Sequence, residues 1–398
     1  MSPDDNLRSD RRAELRMLLT SLGQEALAAA EAYQPDEGDY LQYFQKLSRT
    51  YPPTLTRPAL TQAILRRKAV GKFSRSEEMY FEREALEQTT GELIASYRAR
   101  KYQVYSTIFD FGSGFGGDSL ALAAWAPVVA VDQDAYRLSL LQANAVALHP
   151  KHSIRTILAD LKRLPLRIPP GCAVFFDPAR RINGRRVKVV EAYQPPLSII
   201  RNWLPFVSGL GVKCSPAVRI DEIEQYPAGQ EFISVEGELK EAVLWFGDLN
   251  SAERQATLLP GPHVLQGMEP DHYRISQPLG YIYEPDPAVM RARLVRVLGD
   301  HLDASQLDPT IALLTSDQRQ ETFFARRYRL KDCIPFGLKR LRKFLRQRSV
   351  GRVVLKKRGS AVEVEPFIRQ LNLKGENEAT LILTVVEGKK SVLWVEPD

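Results

Sequence analysis

The chain has 398 residues, 44% of them apolar and 26% charged, with a net charge of +7, which is typical of a water-soluble protein of more than one domain. No apolar run approaches the roughly 20 residues of a membrane span, and the first residues lack the apolar core of a secretory signal. Three scattered cysteines and five histidines form neither a disulfide framework nor a metal-ligand spacing, so we expect a cytoplasmic protein without a metal site.

The chain up to about Phe73 has a helical pattern. Four leucines recur on one helical face, namely Leu15, Leu18, Leu19 and Leu22. Gly23 follows them as an expected helix end, and the prolines of YPPTLTRP predict short breaks. A second helical stretch is expected in SRSEEMYFEREALEQTTGELIASYRARK.

From Val104 onward, strand and helix patterns alternate. The predicted strands are YSTIFDF, PVVAVD, SIRTILAD, CAVFFDPAR and GLGVKCSP, and the predicted helices are GDSLALAAW, AYRLSLLQANAVAL and PLSIIRNWL. Such alternation predicts βαβ units and a parallel sheet. Beyond Pro216, short apolar runs without helices between them predict an antiparallel end to the sheet.

The stretch IFDFGSGFGGD contains a glycine loop with two possible ligands. Gly112, Gly114 and Gly117 fit the spacing of dinucleotide-binding loops, whereas Gly112, Gly114 and Gly116 fit that of S-adenosylmethionine enzymes. Asp110 stands directly before the loop, where it would repel the pyrophosphate of a dinucleotide. The ammonium and sulfonium groups of S-adenosylmethionine are cationic, so the sequence favours this cofactor.

Four successive predicted strands end in an acid, at Asp110, Asp132, Asp160 and Asp177. Ligands of an open parallel sheet bind outside the carboxyl ends of its strands, so these acids are expected in one crevice. We expect Asp132 to accept hydrogen bonds from the ribose hydroxyls of the cofactor and Asp160 from its adenine amino group. The glycines let the backbone approach the methionyl part closely.

Asp177 opens the stretch DPARR, which resembles the Asp/Asn-Pro-Pro-aromatic motif of class I methyltransferases that act on exocyclic amino groups. In that motif the acidic or amide oxygen and the carbonyl of the first proline accept both protons of an NH₂ group. The nitrogen lone pair then points toward the methyl group. Asp177 and Pro178 are therefore the predicted reaction centre. Ala179 and Arg180 replace the second proline and the aromatic residue, and Arg180 is a candidate nucleic-acid contact.

Two other methyl transfers remain open at this stage. GVKCSP loosely resembles the stretch that holds the nucleophile of RNA 5-methyluridine enzymes, so Cys214 is either a thiolate that attacks uracil or a small buried apolar residue. Asp177, Lys213 and Glu236 are candidates for a Lys-Asp-Lys-Glu set that deprotonates a ribose 2′-hydroxyl. Lys213 is equally a candidate salt-bridge partner of Asp177.

The basic charge is concentrated in one segment. Between Arg326 and Arg358, fourteen Lys and Arg residues stand against one Asp, a local charge of +13, whereas the rest of the chain carries −6. This segment pairs a helix with an apolar stripe (Leu338, Leu341 and Leu345) with the strand GRVVLKKRG. Such an excess predicts contacts with the phosphate backbone of a nucleic acid rather than with a membrane surface. The candidate contacts are Lys339, Arg340, Arg342, Lys343, Arg346, Lys356, Lys357 and Arg358.

Several motifs follow one another along the chain, namely LEQTTGELIASYRA, the glycine loop, DPARR-INGRRV, LWFGDLNSAERQATLL, YIYEPDPAVMRA and PFGLKRLRKFLRQRSVGRVVLKKRG. Together, over about residues 74–398, they resemble a bacterial family of class I S-adenosylmethionine-dependent methyltransferases with a ferredoxin-like piece and a THUMP-like C-terminal domain. The expected fold is α/β, with a Rossmann-like sheet. The expected divisions are an N-terminal helical region (1–73), a methyltransferase domain (74–277), a ferredoxin-like segment (278–324) and a THUMP-like RNA-binding domain (325–398).

The resemblance implies an RNA methyltransferase, because THUMP domains present RNA, commonly the end of a tRNA, to a catalytic domain. We expect methylation of an exocyclic or ring nitrogen of a base in structured RNA, either tRNA or rRNA. A methyltransferase acting on protein or a small molecule is an alternative. Another is a non-catalytic RNA-binding factor that retains the cofactor pocket.

Overall fold

The computed structural model of the chain describes residues 3–182, 185–187 and 189–398. The chain divides into two compact units, the first up to Ala228 together with Val243–Ser251, and the second from Gly229–Ala242 and Ala252–Asp398. The domain boundaries predicted from the sequence stay predictions. In the described ranges, no helix has the length and apolar character that crossing a membrane requires.

Four helices open the first unit: α1 (Pro3–Leu18), α2 (Ser21–Glu31), α3 (Tyr40–Leu47) and α4 (Pro53–Ala69). The predicted helix end at Gly23 is wrong, because Gly23 lies inside α2 and its N–H is accepted by the side chain of the N-cap Thr20. A Cβ on Gly23 would lie 2.3 Å from the carbonyl oxygen of Met17, so glycine is needed here for close approach of the chain. Of the predicted apolar face, Leu15 and Leu18 are buried, whereas Leu19 and Leu22 are exposed.

The prolines of YPPTLTRP begin a helix rather than break one, since Pro53 is the first residue of α4 and Pro58 lies inside it. Proline suits the first turn because the N–H it lacks would have no helical partner there. The second predicted helical stretch is divided into α5 (Arg83–Gln88) and α6 (Glu92–Ala99).

A parallel sheet forms the centre of the first unit, as the sequence predicted. Its strands run in the order β7-β4-β1-β2-β3, and every adjacent pair is parallel. The order reverses direction between β1 and β4, the type of position where α/β sheets bind ligands. The elements are β1 (Ile108–Phe111), α7 (Gly117–Leu122), β2 (Val128–Asp132), α8 (Ala135–Leu148), β3 (Ile154–Leu158), β4 (Ala173–Phe176), β5 (Arg181–Ile182), β6 (Arg185–Arg186), β7 (Gly209–Cys214) and α9 (Ile220–Ile223). The predicted helix in PLSIIRNWL forms two 3₁₀ turns instead.

The antiparallel end predicted for the sheet is wrong in part. Its strands are β8 (Gly229–Val235), β9 (Glu238–Gly247), β10 (Arg254–Leu259) and β11 (His263–Gly267). β10 lies next to β8 rather than next to β9, and it runs parallel to β8. β10 and β11 pair as predicted, antiparallel and through a short connection.

A sheet of seven strands forms the rest of the second unit, in the order β13-β14-β12-β15-β18-β17-β16. Strands from the segment 278–324 and from the segment 325–398 therefore belong to the same sheet. The elements are β12 (Tyr281–Pro285), α10 (Pro287–Arg291), α11 (Val295–His301), β13 (Ser305–Asp308), β14 (Ile311–Ser316), β15 (Ala325–Pro335), α12 (Leu338–Gln347), β16 (Val350–Lys357), α13 (Val364–Leu371), β17 (Asn377–Val386) and β18 (Lys389–Pro397).

Alternate residues of β17 belong to the two hydrophobic cores of this sheet. Leu381 and Leu383 pack in the core that holds α12 and α13, whereas Ile382 packs in the core that holds β13 and β14. Lys356 on β16 is the register partner of Ile382. Because successive side chains of a strand point to opposite faces, Lys356 lies on the face away from α12.

The side-chain amide of Asn144 on α8 connects the N-terminal helices to the glycine loop. It accepts a hydrogen bond from the N–H of Tyr80 (2.6 Å) and donates to the carbonyls of Tyr80 (3.1 Å) and Phe115 (3.0 Å). Around it, the rings of Phe73, Phe81 and Phe115 lie 5.4 to 6.0 Å apart. The amide thus satisfies three buried backbone groups at once.

We expect Asn144→Ala to lower the free energy of unfolding by about 2–4 kcal/mol, because it leaves buried N–H and C=O groups without partners. Urea unfolding of the purified protein measures this loss. Gln142→Ala on the exposed side of the same helix is the control and should change stability by less than about 0.5 kcal/mol. Equal losses in the two variants would contradict the role given to Asn144.

Candidate active site

A cavity of about 280 Å³ opens in the first unit, among the loops that follow the parallel strands. Seven of the nine residues predicted for the reaction centre, the cofactor and the adjacent nucleic-acid contact line it, namely Gly112, Gly114, Asp132, Asp160, Asp177, Pro178 and Arg180. The other two, Asp110 and Gly116, are not among the lining residues. The carboxyl edge of the sheet therefore brings most of the predicted site together.

The glycines of the loop serve different purposes. Gly112 has φ +81°, and a Cβ there would lie 2.5 Å from the carbonyl oxygen of Asp177. Gly116 has φ +103°, and a Cβ there would lie 2.8 Å from Leu141 Cγ. Gly114 has φ +55° and open space around it. Gly112 thus lets the loop approach the acceptor motif, Gly116 lets it approach α8, and Gly114 leaves one side of the loop free for a ligand.

Asp132 is held rigidly at the end of β2. Its Oδ2 accepts the N–H of Gly114 (2.9 Å) and its Oδ1 accepts the N–H of Asp134 (2.8 Å). Burial raises the pKa of this carboxyl above its ordinary value, and the two backbone donors act in the opposite direction. Each carboxylate oxygen can accept a further hydrogen bond, so Asp132 can bind the two hydroxyls of a ribose.

Asp110 lies beneath the glycine loop and is fully buried. The hydroxyl of Ser119 donates a hydrogen bond to its Oδ2, and Oδ1 has no hydrogen-bond partner among the described residues. Burial and the nearby negative charges of Asp118 and Asp177 raise the pKa of Asp110 to about 8. At neutral pH this carboxyl is therefore mostly protonated.

Asp177 follows β4 and faces the cavity with its side chain 22% exposed. The ammonium group of Lys213, which is nearly buried, forms an ion pair with its Oδ2. The Asp177 N–H donates to the carbonyl of Phe111 (3.0 Å), the last residue of β1. Lys213 thus takes up one carboxylate oxygen, and the other oxygen remains for a substrate.

Asp160 is exposed at the rim of the cavity, where it caps a 3₁₀ turn. Its Oδ1 accepts the N–H of Lys162 at 2.9 Å. Arg180 also lines the cavity and is partly exposed. Both residues can contact a ligand without a change in the fold.

The residues predicted for the two other methyl transfers differ in their positions relative to the cavity. Cys214 is fully buried at the end of β7 and does not line the cavity. Glu236 lies in the exposed turn between β8 and β9, with φ +51°. Lys213 does pair with Asp177, as the salt-bridge interpretation expected. Among the described residues no group of three or more His, Cys, Asp and Glu side chains is arranged to hold a metal ion.

Part of the cavity wall comes from residues that could not be predicted from the ends of the strands. Ala85, Gln88 and Thr89, at the end of α5, also line the cavity. Lys72 donates to the carbonyl of Leu86 (2.6 Å) and so helps to fix this end of the helix. The motif LEQTTGELIASYRA was the available signal, because Gln88 and Thr89 belong to it.

The predicted basic contacts fall into two groups in the second unit. Lys339, Arg340, Lys343 and Arg346 are exposed on α12 and form no ion pair with any residue in the described ranges, and Lys357 is exposed at the end of β16. Arg342 is half-buried and donates to the carbonyl of Gln370 (2.7 Å). Lys356 and Arg358 instead form ion pairs with the buried Glu284.

Glu284 therefore belongs to an internal network of charges. Lys356 donates to it at 2.7 Å, and the hydroxyl of Tyr328 donates at 2.9 Å. Although burial raises it, the pKa of Glu284 lies below its ordinary value because of Lys356, Arg358 and Tyr328. The local charge of the basic segment is thus smaller in the fold than in the sequence.

The cavity suits S-adenosylmethionine better than a dinucleotide. Asp110 lies beneath the loop, and Asp118 stands in the first turn of the helix that follows. The position of Asp118 disfavours a pyrophosphate and suits a ligand with ammonium and sulfonium charges, whereas the mostly protonated Asp110 adds little to this preference. The open side of Gly114 and the two fixed oxygens of Asp132 would hold the methionyl and ribose parts.

Two segments match known domain families. Residues 325–397 match the THUMP domain-like family, and residues 10–69 match a domain of unknown function, DUF8688. The crystal structure of a protein from Porphyromonas gingivalis that is assigned as a methyltransferase has a TM-score of 0.76, with 94% of this chain and 97% of that chain covered. The sequence identity is 21%, so this similarity concerns the fold alone. It confirms the predicted α/β fold.

The chain is 31% identical over 336 residues to an uncharacterized S-adenosylmethionine-dependent methyltransferase of Mycobacterium tuberculosis. The alignment covers 81% of this chain and 90% of that relative. The chain thus belongs to a family of class I S-adenosylmethionine-dependent methyltransferases with a THUMP-like C-terminal domain, and S-adenosylmethionine is its cofactor.

Proposed function

We propose that this methyltransferase modifies a base in structured RNA, tRNA or rRNA, at an exocyclic or ring nitrogen. The observation that carries the proposal is the position of Asp177 and Pro178, which line the same cavity as the glycine loop. The backbone of Asp177 approaches Gly112 closely, so the acceptor motif stands directly beside the donor loop.

When bound, S-adenosylmethionine supplies an electrophilic methyl group on its sulfonium. Gly112 and Gly114 leave room for the methionyl part, and Asp132 accepts hydrogen bonds from the ribose hydroxyls. Asp160, at the rim, accepts from the adenine amino group. Asp110 is mostly protonated at neutral pH and lies beneath the loop, outside the cavity lining.

The acceptor nitrogen is oriented by two oxygens of this chain. Lys213 holds Asp177 Oδ2, so Oδ1 and the carbonyl of Pro178 accept the two protons of an NH₂ group. The lone pair of the nitrogen then points away from both oxygens and toward the methyl group, which is catalysis by positioning. A ring nitrogen with a single N–H would use one of the two oxygens.

RNA as the substrate is supported by the second unit. Its residues 325–397 match the THUMP domain-like family, and α12 presents four exposed cations outside any ion pair with a described residue. Phosphate groups are the natural counterions of such a helix. We include Lys339, Arg340, Arg342, Lys343, Arg346 and Lys357 in the proposed RNA surface and leave Lys356 and Arg358 to the network of Glu284.

Among the other methyl transfers, methylation of a ribose 2′-hydroxyl has one observation in its favour, the ion pair of Lys213 with Asp177. The 5-methyluridine mechanism has less support, since Cys214 is fully buried away from the cavity lining. A cytoplasmic location stays our proposal and rests on the three free cysteines.

Transfer of tritiated methyl groups into total RNA from a deletion strain tests the proposal, followed by mass spectrometry of the nucleosides. We expect incorporation and a methylated base. Incorporation into ribose would favour the 2′-hydroxyl reaction. Tight cofactor binding without incorporation into RNA, protein or small molecules would favour a non-catalytic RNA-binding factor.

We expect Asp177→Ala to lower kcat by roughly 10²- to 10⁴-fold, because it removes an acceptor of the reacting amine. The dissociation constant for S-adenosylmethionine, measured by calorimetry, should change less than about threefold. Asp177→Asn keeps an acceptor oxygen and should retain measurable transfer. Asp177→Ala leaves the buried Lys213 unpaired, which costs about 3–5 kcal/mol of stability. The double variant Asp177→Ala/Lys213→Met removes the unpaired charge and is the control for this loss of stability. Parallel loss of cofactor affinity would place Asp177 in the cofactor site.

The pKa of Asp110 predicts a pH-dependent stability. Its folded-state pKa of about 8 lies above the ordinary 3.8, so folding takes up a proton between these values. Stability should fall as pH rises from about 4 to about 8, by up to roughly 1.4 kcal/mol per pH unit. Asp110→Asn should reduce this pH dependence of the free energy of unfolding, measured with urea. Asp221→Asn on the surface should leave the pH dependence unchanged. An unchanged slope in Asp110→Asn would refute the buried neutral carboxyl.

We expect Lys339→Gln/Lys343→Gln/Arg346→Gln to reduce the slope of log Kd for RNA against log salt concentration by about 2, since three phosphate contacts are lost. Fluorescence anisotropy with labelled tRNA between low and physiological salt measures the slope. The matched control, Lys374→Gln/Lys389→Gln/Lys390→Gln, removes the same charge from exposed positions of the same unit. Equal effects of the two triple variants would show that only total charge matters.

A further inference from the structure

Arg137, in the first turn of α8, lines the cavity, and the proposed chemistry of methyl transfer does not use it. Among the described residues, Lys162 and Arg180 are the other cations that line the cavity. Lys162 belongs to the turn that Asp160 caps, and Arg180 follows the predicted reaction centre. Arg137 lies instead where β2 leads into α8.

The backbone between β2 and α8 brings Arg137 close to Asp132. Asp132 Oδ1 accepts the N–H of Asp134, and Asp134 Oδ1 in turn accepts the N–H of Arg137 at 3.2 Å. Burial raises the pKa of Asp132, and the nearby charge of Arg137 is one of the influences that oppose this rise. Among the described residues, however, Arg137 forms its ion pair with Glu82 and not with Asp132.

Glu82, the N-cap residue of α5, fixes the guanidinium group of Arg137. Its Oε2 accepts the Nε–H of Arg137 at 2.8 Å, and its Oε1 accepts a hydrogen bond from Arg11 on α1, also at 2.8 Å. The side chain of Glu82 is only 13% exposed, so both bonds are partly shielded from water. The two terminal NH₂ groups of Arg137 have no hydrogen-bond partner among the described residues.

A ribose hydroxyl needs both an acceptor and a donor. Its O–H donates one hydrogen bond, and its oxygen accepts another from a group such as an N–H. An ionised Asp132 supplies acceptors and no donor. Inside a cavity that excludes water, a hydroxyl oxygen without a donor would lose the hydrogen bond that it makes in solution. The terminal NH₂ groups of Arg137 are donors of the required kind, on the residue whose charge acts on Asp132.

We propose that Arg137 donates hydrogen bonds to the ribose oxygens of S-adenosylmethionine, and that Glu82 is the residue that positions its guanidinium group. The inference rests on the ribose contact given to Asp132 in the proposed function, and it does not depend on which molecule accepts the methyl group. Each ribose hydroxyl then donates to Asp132 and accepts from Arg137. Because Glu82 also binds Arg11, helix α1 helps to order the cofactor site.

Calorimetry of ligand binding to the full-length protein tests the contact. The two ligands are S-adenosylhomocysteine and its dideoxy analogue, in which hydrogen replaces both ribose hydroxyls. Arg137→Met should raise Kd for S-adenosylhomocysteine about 10- to 100-fold, because charge-assisted hydrogen bonds are lost. The same variant should change Kd for the dideoxy analogue less than about threefold, because that ligand offers Arg137 no ribose hydroxyl.

Glu82→Gln tests the positioning role, because an amide nitrogen replaces one of the two oxygens that accept from the arginines. We expect Kd for S-adenosylhomocysteine to rise about 3- to 10-fold, again with little change for the dideoxy analogue. A merely structural role of Glu82 would weaken the binding of both ligands alike. Arg137→Met/Glu82→Gln should bind S-adenosylhomocysteine no more weakly than Arg137→Met, because Glu82 acts through Arg137.

Two further variants complete the design. Arg155→Met removes the same side chain from an exposed position on β3 and should leave both dissociation constants within about twofold. Arg137→Lys keeps the charge with fewer fixed donors and should recover part of the affinity for S-adenosylhomocysteine.

The outcomes separate this inference from the proposed function. Equal losses for the two ligands in Arg137→Met would overturn the ribose contact of Arg137 and leave the proposed methyl transfer standing. Equal binding of the two ligands by the unmodified protein would overturn the ribose contact of Asp132 together with the inference. A loss confined to S-adenosylhomocysteine supports the inference, even where the unmodified protein transfers no methyl group to RNA and the proposed function fails.

Discussion

The backbone of Gly112 lies so close to the carbonyl oxygen of Asp177 that a Cβ there would be only 2.5 Å away. Gly112 begins the cofactor loop and Asp177 begins the acceptor motif, and the strands before them pair with Phe111 opposite Phe176. In-line transfer requires donor and acceptor atoms within about 3–3.5 Å of each other. A glycine at this one position therefore lets two neighbouring strand ends approach closely enough to form the reaction site that we propose.

The N-terminal helices support this contact from behind the loop. Asn144 binds the backbone of both Tyr80 and Phe115, and Phe115 sits in the glycine loop among the rings of Phe73 and Phe81. Lys72 fixes the end of α5, from which Thr89 reaches the cavity. The segment that matches DUF8688 thus adjoins a core that extends to the cofactor loop. Its packing gives the loop a defined conformation before any ligand binds.

Local patterns were enough to predict the parallel sheet, the glycine loop and the acids at Asp132, Asp160 and Asp177. Strand periodicity and the residues at strand ends depend only on residues that are close in sequence. Contacts between distant parts of the chain could not be predicted in this way. Lys356 pairs with Glu284, 72 residues away, so the strand end that looked free is internally neutralised. Asp110 was expected at the cofactor, but burial beneath the loop and its bond to Ser119 depend on how α7 packs. Gly23 was misassigned for the same reason, since its small size serves the approach of α1 to α2.

The electrostatic character of the first unit changes over a few residues. Asp110, Asp118 and Asp132 stand around the glycine loop, whereas the charged residues of the sequence 178–190 are all Arg or Lys. Under the proposed function, acids beside the loop favour the cationic donor and disfavour a polyanionic acceptor in the place of the donor. Methyl transfer also removes the sulfonium charge. Under the proposed function, the carboxylate of Asp132 would attract the neutral thioether product less strongly than the donor, so the residue that binds the cofactor would also favour its exchange after the reaction.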